Sequence, residues 1–130
     1  MKFQADRFDM QTITGYGPGW IAVDGEKTTA STVVTSRGQR LDWGCSSFAD
    51  LTPEHFARLA ALQPEVVIFG SGAAIRFVPP AWLAPLMRQN VGVECMDTQA
   101  ACRTYNILAG EGRHVVAALL LEAGAAGGMP

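Results

Sequence analysis

The sequence is poor in charge. Only 17% of its 130 residues are Asp, Glu, Lys or Arg, and 10 basic against 12 acidic side chains leave a net charge of -2. Neither sign clusters, so the basic stripe that grips a nucleic-acid backbone is missing, and no nucleic-acid partner is expected. Low net charge with 48% hydrophobic residues also excludes a disordered chain. Long apolar runs are missing as well. The longest, Val115 to Leu121, is seven residues, against roughly 18 for a membrane span. The three cysteines, Cys45, Cys95 and Cys102, form no C-x-x-C pair and exclude a disulfide framework. Two isolated histidines, His55 and His114, offer no metal-ligand cluster, so neither metal nor cofactor is expected. Asp6, Arg7 and Asp9 interrupt any secretory apolar stretch, which points to a cytoplasmic protein. Residues 123–130, rich in alanine and glycine, are expected to be a flexible C-terminal tail.

What remains is one globular domain, expected over residues 1–122. Its first half reads as strands. Trp20-Ile21-Ala22-Val23 is followed by Asp24-Gly25 and a β-branched run to Val33-Val34-Thr35. Asp-Gly between such runs is a hairpin signal, because both residues tolerate positive φ. Arg37-Gly38 marks a second turn, and Gly15-Tyr16-Gly17-Pro18-Gly19 reads as an irregular loop.

The second half switches period. Leu51-Thr52-Pro53-Glu54-His55-Phe56 is a helix start with Thr52 as cap and Pro53 at the tolerated first position; His55 is expected in solvent. Val66-Val67-Ile68-Phe69 is a continuous apolar run, as in a strand covered on both faces. A helix is expected from Pro80 to Gln89, kinked or shortened by Pro85. Val91 to Met96 is a strand. Asp97-Thr98 then caps a helix from Gln99 to Ala109, for which Gly110 is the natural stop. Val115 to Leu121 is the last strand. The order predicts an α/β fold whose Val66 and Val93 strands are parallel neighbours joined by a crossover.

Ligands of such sheets collect at the carboxyl ends of the parallel strands. Gly70-Ser71-Gly72 and Asp97-Thr98 should meet there. Two readings stand: an anion-binding crevice made of glycine-turn and helix amides, or a tight turn plus a helix cap. Ser71, His114 and Asp97 name the parts of a serine hydrolase without its nucleophile elbow, so no catalytic residue is assigned. Tyr105, Asn106, Glu111 and Arg113 are candidates for the rim of the cleft. For Glu111-Gly112-Arg113 the alternative is an ion pair within the turn.

The segment from Asp97 to Arg113, with Thr104-Tyr105-Asn106 and Glu111-Gly112-Arg113 as its specific parts, resembles the signature of a small-protein family. That family includes the mitochondrial respiratory complex I (NADH:ubiquinone oxidoreductase) assembly factor 3 and many bacterial and archaeal proteins. Tyr16-Gly17-Pro18-Gly19, Asp24-Gly25 and Gly92-Val93 match upstream, and Gly70-Ser71-Gly72 stands where many members carry Gly-Thr-Gly. The likeness runs from about Phe8 to Leu121. It implies a compact three-layer α/β domain with a central mixed sheet and an added β-hairpin region. It also implies a non-catalytic, protein-binding role whose partners are respiratory-complex subunits. A second copy of the chain is the other expected partner. Such a surface should be apolar, expected around Trp20, Trp43 or Trp82. The alternative is a small-ligand or enzyme site at Gly70-Ser71-Gly72 and Asp97-Thr98. A third reading makes Thr104, Tyr105 and Asn106 purely structural.

Overall fold

The computed structural model describes residues 10–123; the tail expected at 123–130 lies outside them apart from Ala123. Among the described residues eight strands form two sheets. Strands β1 (Ile13–Gly17), β2 (Trp20–Val23) and β3 (Glu26–Thr28) make a small antiparallel sheet. Strands β4 (Thr32–Thr35), β5 (Arg40–Asp42), β6 (Val66–Gly70), β7 (Gly92–Met96) and β8 (Val115–Leu119) make the central sheet, in the order β5-β4-β8-β6-β7. Within it β6 runs parallel to both β7 and β8, while β4 runs antiparallel to β8 and β5. The fold is therefore the expected mixed α/β architecture. The early hairpins divide their roles: β4–β5 extends the central sheet, and β1–β3 cover it.

The apolar runs explain the layering. Strand side chains alternate between faces, so Val66, Ile68, Val115, Ala117 and Leu119 enter one core, and Val67, Phe69, Val116 and Ala118 enter the other. The first core is closed by α3 (Thr98–Gly110), which contributes Ala101, Cys102, Tyr105 and Ala109, and by Ile13, Ile21 and Val23 of the small sheet. The second is closed by α1 (Pro53–Ala60) and by the segment containing α2 (Ala84–Met87). Trp43, Phe56 and Phe69 meet there edge-to-face, the arrangement that aromatic quadrupoles favour.

Several expectations are corrected. Gly15 to Gly17 is strand, not loop, and only Pro18-Gly19 turns. The Trp20 indole lies over the two glycines: a Cβ on Gly17 would stand 2.9 Å from Trp20 Cε2. Lys27 Nζ covers the ring at 4.5 Å from its centroid. The Asp24-Gly25 turn is as expected, with φ of 49° and 85°. The helix over Pro80–Gln89 is shortened, as Pro85 leads one to expect, to a 3₁₀ turn, Pro80–Leu83, followed by the single turn α2, since Pro85 cannot donate a helical bond. Helix α3 includes Gly110, and the chain reverses at Gly112 with φ 87°.

His55 is buried rather than solvated. Its Nδ1 accepts from the Thr52 N–H at 3.1 Å and its Nε2 meets the Gly44 carbonyl at 3.2 Å. An imidazole thus fills the capping-box position usually held by Glu or Gln. Trp43 is 1% exposed and lies in the second core, so it offers no docking surface.

Candidate functional site

Strands β6 and β7 are parallel neighbours in the register Val66↔Gly92 to Gly70↔Met96. Their chains leave toward opposite faces: β6 leads to the α2 side and β7 into α3. This is the topological switch point at which open α/β sheets bind ligands. The two predicted segments do meet there. The Ser71 N–H donates to the Met96 carbonyl at 2.9 Å, and the Thr98 N–H donates to the Gly72 carbonyl at 2.8 Å.

The groups expected to hold a ligand are occupied by the chain itself. Thr98 Oγ1 accepts the Gly72 N–H at 2.8 Å and donates to the Leu120 carbonyl at 2.8 Å. Ser71 is fully buried. Its Oγ donates to the Ala74 carbonyl at 2.8 Å and accepts the Arg76 N–H at 2.9 Å. Asp97 caps α3 by accepting the Ala100 N–H at 2.9 Å. Above this layer Arg76 Nη2 donates to Glu122 Oε1 at 2.7 Å and to the Ser71 carbonyl at 2.8 Å. The other Glu122 oxygen accepts the Phe48 N–H at 2.9 Å.

Gly72, at φ 102°, is where the ion pair presses closest; a Cβ there would stand 2.7 Å from Glu122 Oε1. A cleft of about 320 Å³ opens beside this plug, with Gly17, Pro18, Gly72, Asp97, Thr98 and Glu122 in its walls. Arg76 balances the Glu122 charge, which leaves the Asp97 carboxylate as the group in this wall that disfavours an anion.

The remaining candidates do not join the cleft. Tyr105 is fully buried and its hydroxyl donates to the Gln11 carbonyl at 2.7 Å; burial pushes its phenol up. Asn106 grips β1: Oδ1 accepts the Ile13 N–H and Nδ2 donates to the Ile13 carbonyl, both at 2.9 Å. Thr104 is half-buried. Glu111 and Arg113 follow the far end of the 13-residue α3, about 20 Å from its cap. Arg113 pairs with Glu65, not Glu111, at 3.6 Å between exposed side chains, a contact that contributes about 0–1 kcal/mol.

His114 immediately precedes β8 and so sits at the opposite end of the sheet from Ser71 and Asp97, which breaks the hydrolase arrangement. Its Nε2 is buried, with no hydrogen-bond partner among the described residues. Desolvation, then Arg37, lowers its pKa. Burial raises all three thiols, Cys45 to about 11, Cys102 to about 12, and Cys95 also upward. Such thiols carry little thiolate and make poor nucleophiles. Among the described residues no group of three or more His, Cys, Asp and Glu is placed to hold a metal, and no helix is long and apolar enough to cross a membrane.

Sequence reasoning missed Gln11, Arg76 and Glu122, whose partners are distant in the chain. It also missed the large apolar side chains that are exposed. These are Ile75, Phe77, Met87 and Ile107, with Leu41 at the sheet edge; Trp20 and Trp82 are half-buried.

Comparison with known proteins identifies relatives of the same fold. The crystal structure of a Bordetella parapertussis protein is 40% identical, with a TM-score of 0.81, over 87% of this chain and 97% of that one. An uncharacterized Rhodobacter capsulatus protein is 34% identical over 87% of this chain and 86% of its own length. NADH dehydrogenase (ubiquinone) 1 alpha subcomplex assembly factor 3 of Bos taurus is 35% identical over 82 residues, 62% of this chain. The match spans 45% of that assembly factor, less than half its length. The likeness read from Thr104-Tyr105-Asn106 and Glu111-Gly112-Arg113 is thus borne out. A family model described as a protein of unknown function (DUF498/DUF598) matches residues 13–120, and the chain belongs to that family.

Proposed function

We propose that this chain is a non-catalytic, cytoplasmic binding protein that assists the assembly of a respiratory complex by docking its subunits. One observation carries the reading. The polar side chains that mark the switch point and the family signature, Ser71, Thr98, Tyr105 and Asn106, all bond to backbone of their own chain. Chemistry needs groups free to meet a substrate, and these are spent on architecture. The surface is then left to act. The name carried by the Bos taurus relative supplies the kind of target, a multi-subunit NADH dehydrogenase.

The test is deletion of the gene in a bacterium that carries it together with such an enzyme. Membranes are then analysed by native electrophoresis and NADH:quinone activity. Accumulation of partly assembled enzyme, reversed by the wild-type gene, is the expected result. Normal assembly and activity in the deletion strain overturn the reading. A second reading keeps a small ligand in the cleft of about 320 Å³ beside Gly72 and Asp97. Titration with inorganic phosphate and with nucleotides, followed by amide shifts of Gly72 and Gln99, decides it.

A further inference from the structure

Strand β7 ends the central sheet, and among the described residues it pairs with β6 alone. Its hydrogen-bonding parity is fixed. The Met96 carbonyl accepts from Ser71 and therefore points toward β6. Groups on successive residues of a strand alternate in direction, so those of Gly92 and Glu94 also point inward, while the N–H and C=O of Val93 and Cys95 point out of the sheet. Their side chains pack on the second core, whereas Glu94 is exposed on the α3 side.

The other edges are less open. The β1 edge is taken at Ile13 by Asn106. Strands β3 and β5 have three residues each, and Glu26 and Arg40 tie them together at 2.9 Å.

We infer that the β7 edge receives an extended segment of a partner protein, which adds a sixth strand with apolar residues beside Val93 and Cys95 and a Lys or Arg beside Glu94. The inference rests on the binding role proposed above and names the surface and the chemistry of its target. Strand addition draws affinity from the outward backbone groups and specificity from alternate side chains. Charge selects the occupant. A second copy pairing antiparallel about Glu94 would set two carboxylates directly opposite, which is destabilising, whereas an opposite charge there is favourable.

The probes are two nine-residue peptides, one alternating Val and Lys, the other alternating Val and Glu. Binding is followed by fluorescence anisotropy and amide hydrogen exchange. The Val–Lys peptide is expected to bind and to slow exchange at Val93 and Cys95, with Glu94 unchanged. The Val–Glu peptide is expected not to bind. Glu94→Lys, an exposed change, should weaken Val–Lys binding at least threefold and create binding of Val–Glu.

Three results overturn the inference: unchanged exchange at Val93 and Cys95, a Val–Lys affinity indifferent to Glu94→Lys, or concentration-dependent protection of these amides without peptide, which would mean self-pairing. Defective assembly in the deletion strain combined with any of these results leaves the assembly role standing and removes the edge. Peptide binding with normal assembly keeps the edge and removes that role.

Discussion

Replacing Asn106 by alanine tests whether the signature residues act structurally. The Asn106 amide does for β1 what a neighbouring strand would do, accepting one backbone bond and donating one at 2.9 Å each. Ile13 is 4% exposed, so water cannot freely replace the lost partner. An unsatisfied buried backbone group costs about 1–3 kcal/mol. With two such groups and some relaxation of a partly buried site, the expected loss is about 2–4 kcal/mol. That is a fall in Tm of roughly 10 °C for a domain of this size.

Urea unfolding of both proteins measures the loss, and the Ile13 amide, protected in the wild type, should exchange rapidly in the variant. Tyr105→Phe keeps the packing but leaves the Gln11 carbonyl without its hydroxyl, so it should cost about 1–2 kcal/mol. The two changes release neighbouring residues of one segment, Gln11 and Ile13, and should not add fully. If Asn106→Ala changes stability by less than about 0.5 kcal/mol, the ordinary range for surface substitutions, while abolishing partner binding, the structural assignment is refuted.

His114 should impose a pH dependence. Its pKa is lowered in the folded protein from an ordinary 6.5 by burial and Arg37. The unfolded chain therefore takes up the proton first on acidification. The stabilising contribution is fully present above about pH 6.5, and falls as the pH drops through the window down to the lowered native value. Urea midpoints across this window check it, and His114→Gln should flatten the slope.

Gly17→Ala should push the Trp20 indole off its ledge, break the Lys27 contact and cost about 1–3 kcal/mol, as overpacking does; tryptophan emission and Lys27 proton shifts report it. Cys45, raised to about 11, should be roughly one part in a thousand thiolate at pH 8. Ellman's reagent should label the native protein far more slowly than urea-unfolded protein. Rapid labelling of one thiol in the native state would contradict the burial described.

What the sequence disclosed follows the range of the forces involved. Val66–Phe69 and Val115–Leu121 are legible because a strand covered on both faces needs no polar positions. Asp24-Gly25 and the Asp97 cap are legible because their chemistry is complete within a few residues. The strand character of Gly15–Gly17 was hidden, since glycines there read as a loop and the packing that makes them a strand comes from Trp20 on the next strand. The burial of Trp43 and His55 is illegible for a related reason: nothing local reports that Phe56, Phe69 and the Gly44 carbonyl close around them. Tyr105 meets Gln11 across 94 positions, and Arg76 meets Glu122 across 46. Residue type announces that such groups want partners without saying whether the partner is a ligand or their own backbone.

The Thr98 hydroxyl ties together the ends of three parallel strands, taking the amide after β6 and the carbonyl after β8 from the first turn of the helix after β7. Removing that one oxygen would leave a donor and an acceptor facing each other across the mouth of a doubly wound sheet. A small polar molecule could then reach what the side chain now covers. Receptor and sealed scaffold are in this sense neighbours in sequence space, and a protein engineer wishing to give this architecture a cargo would begin at position 98.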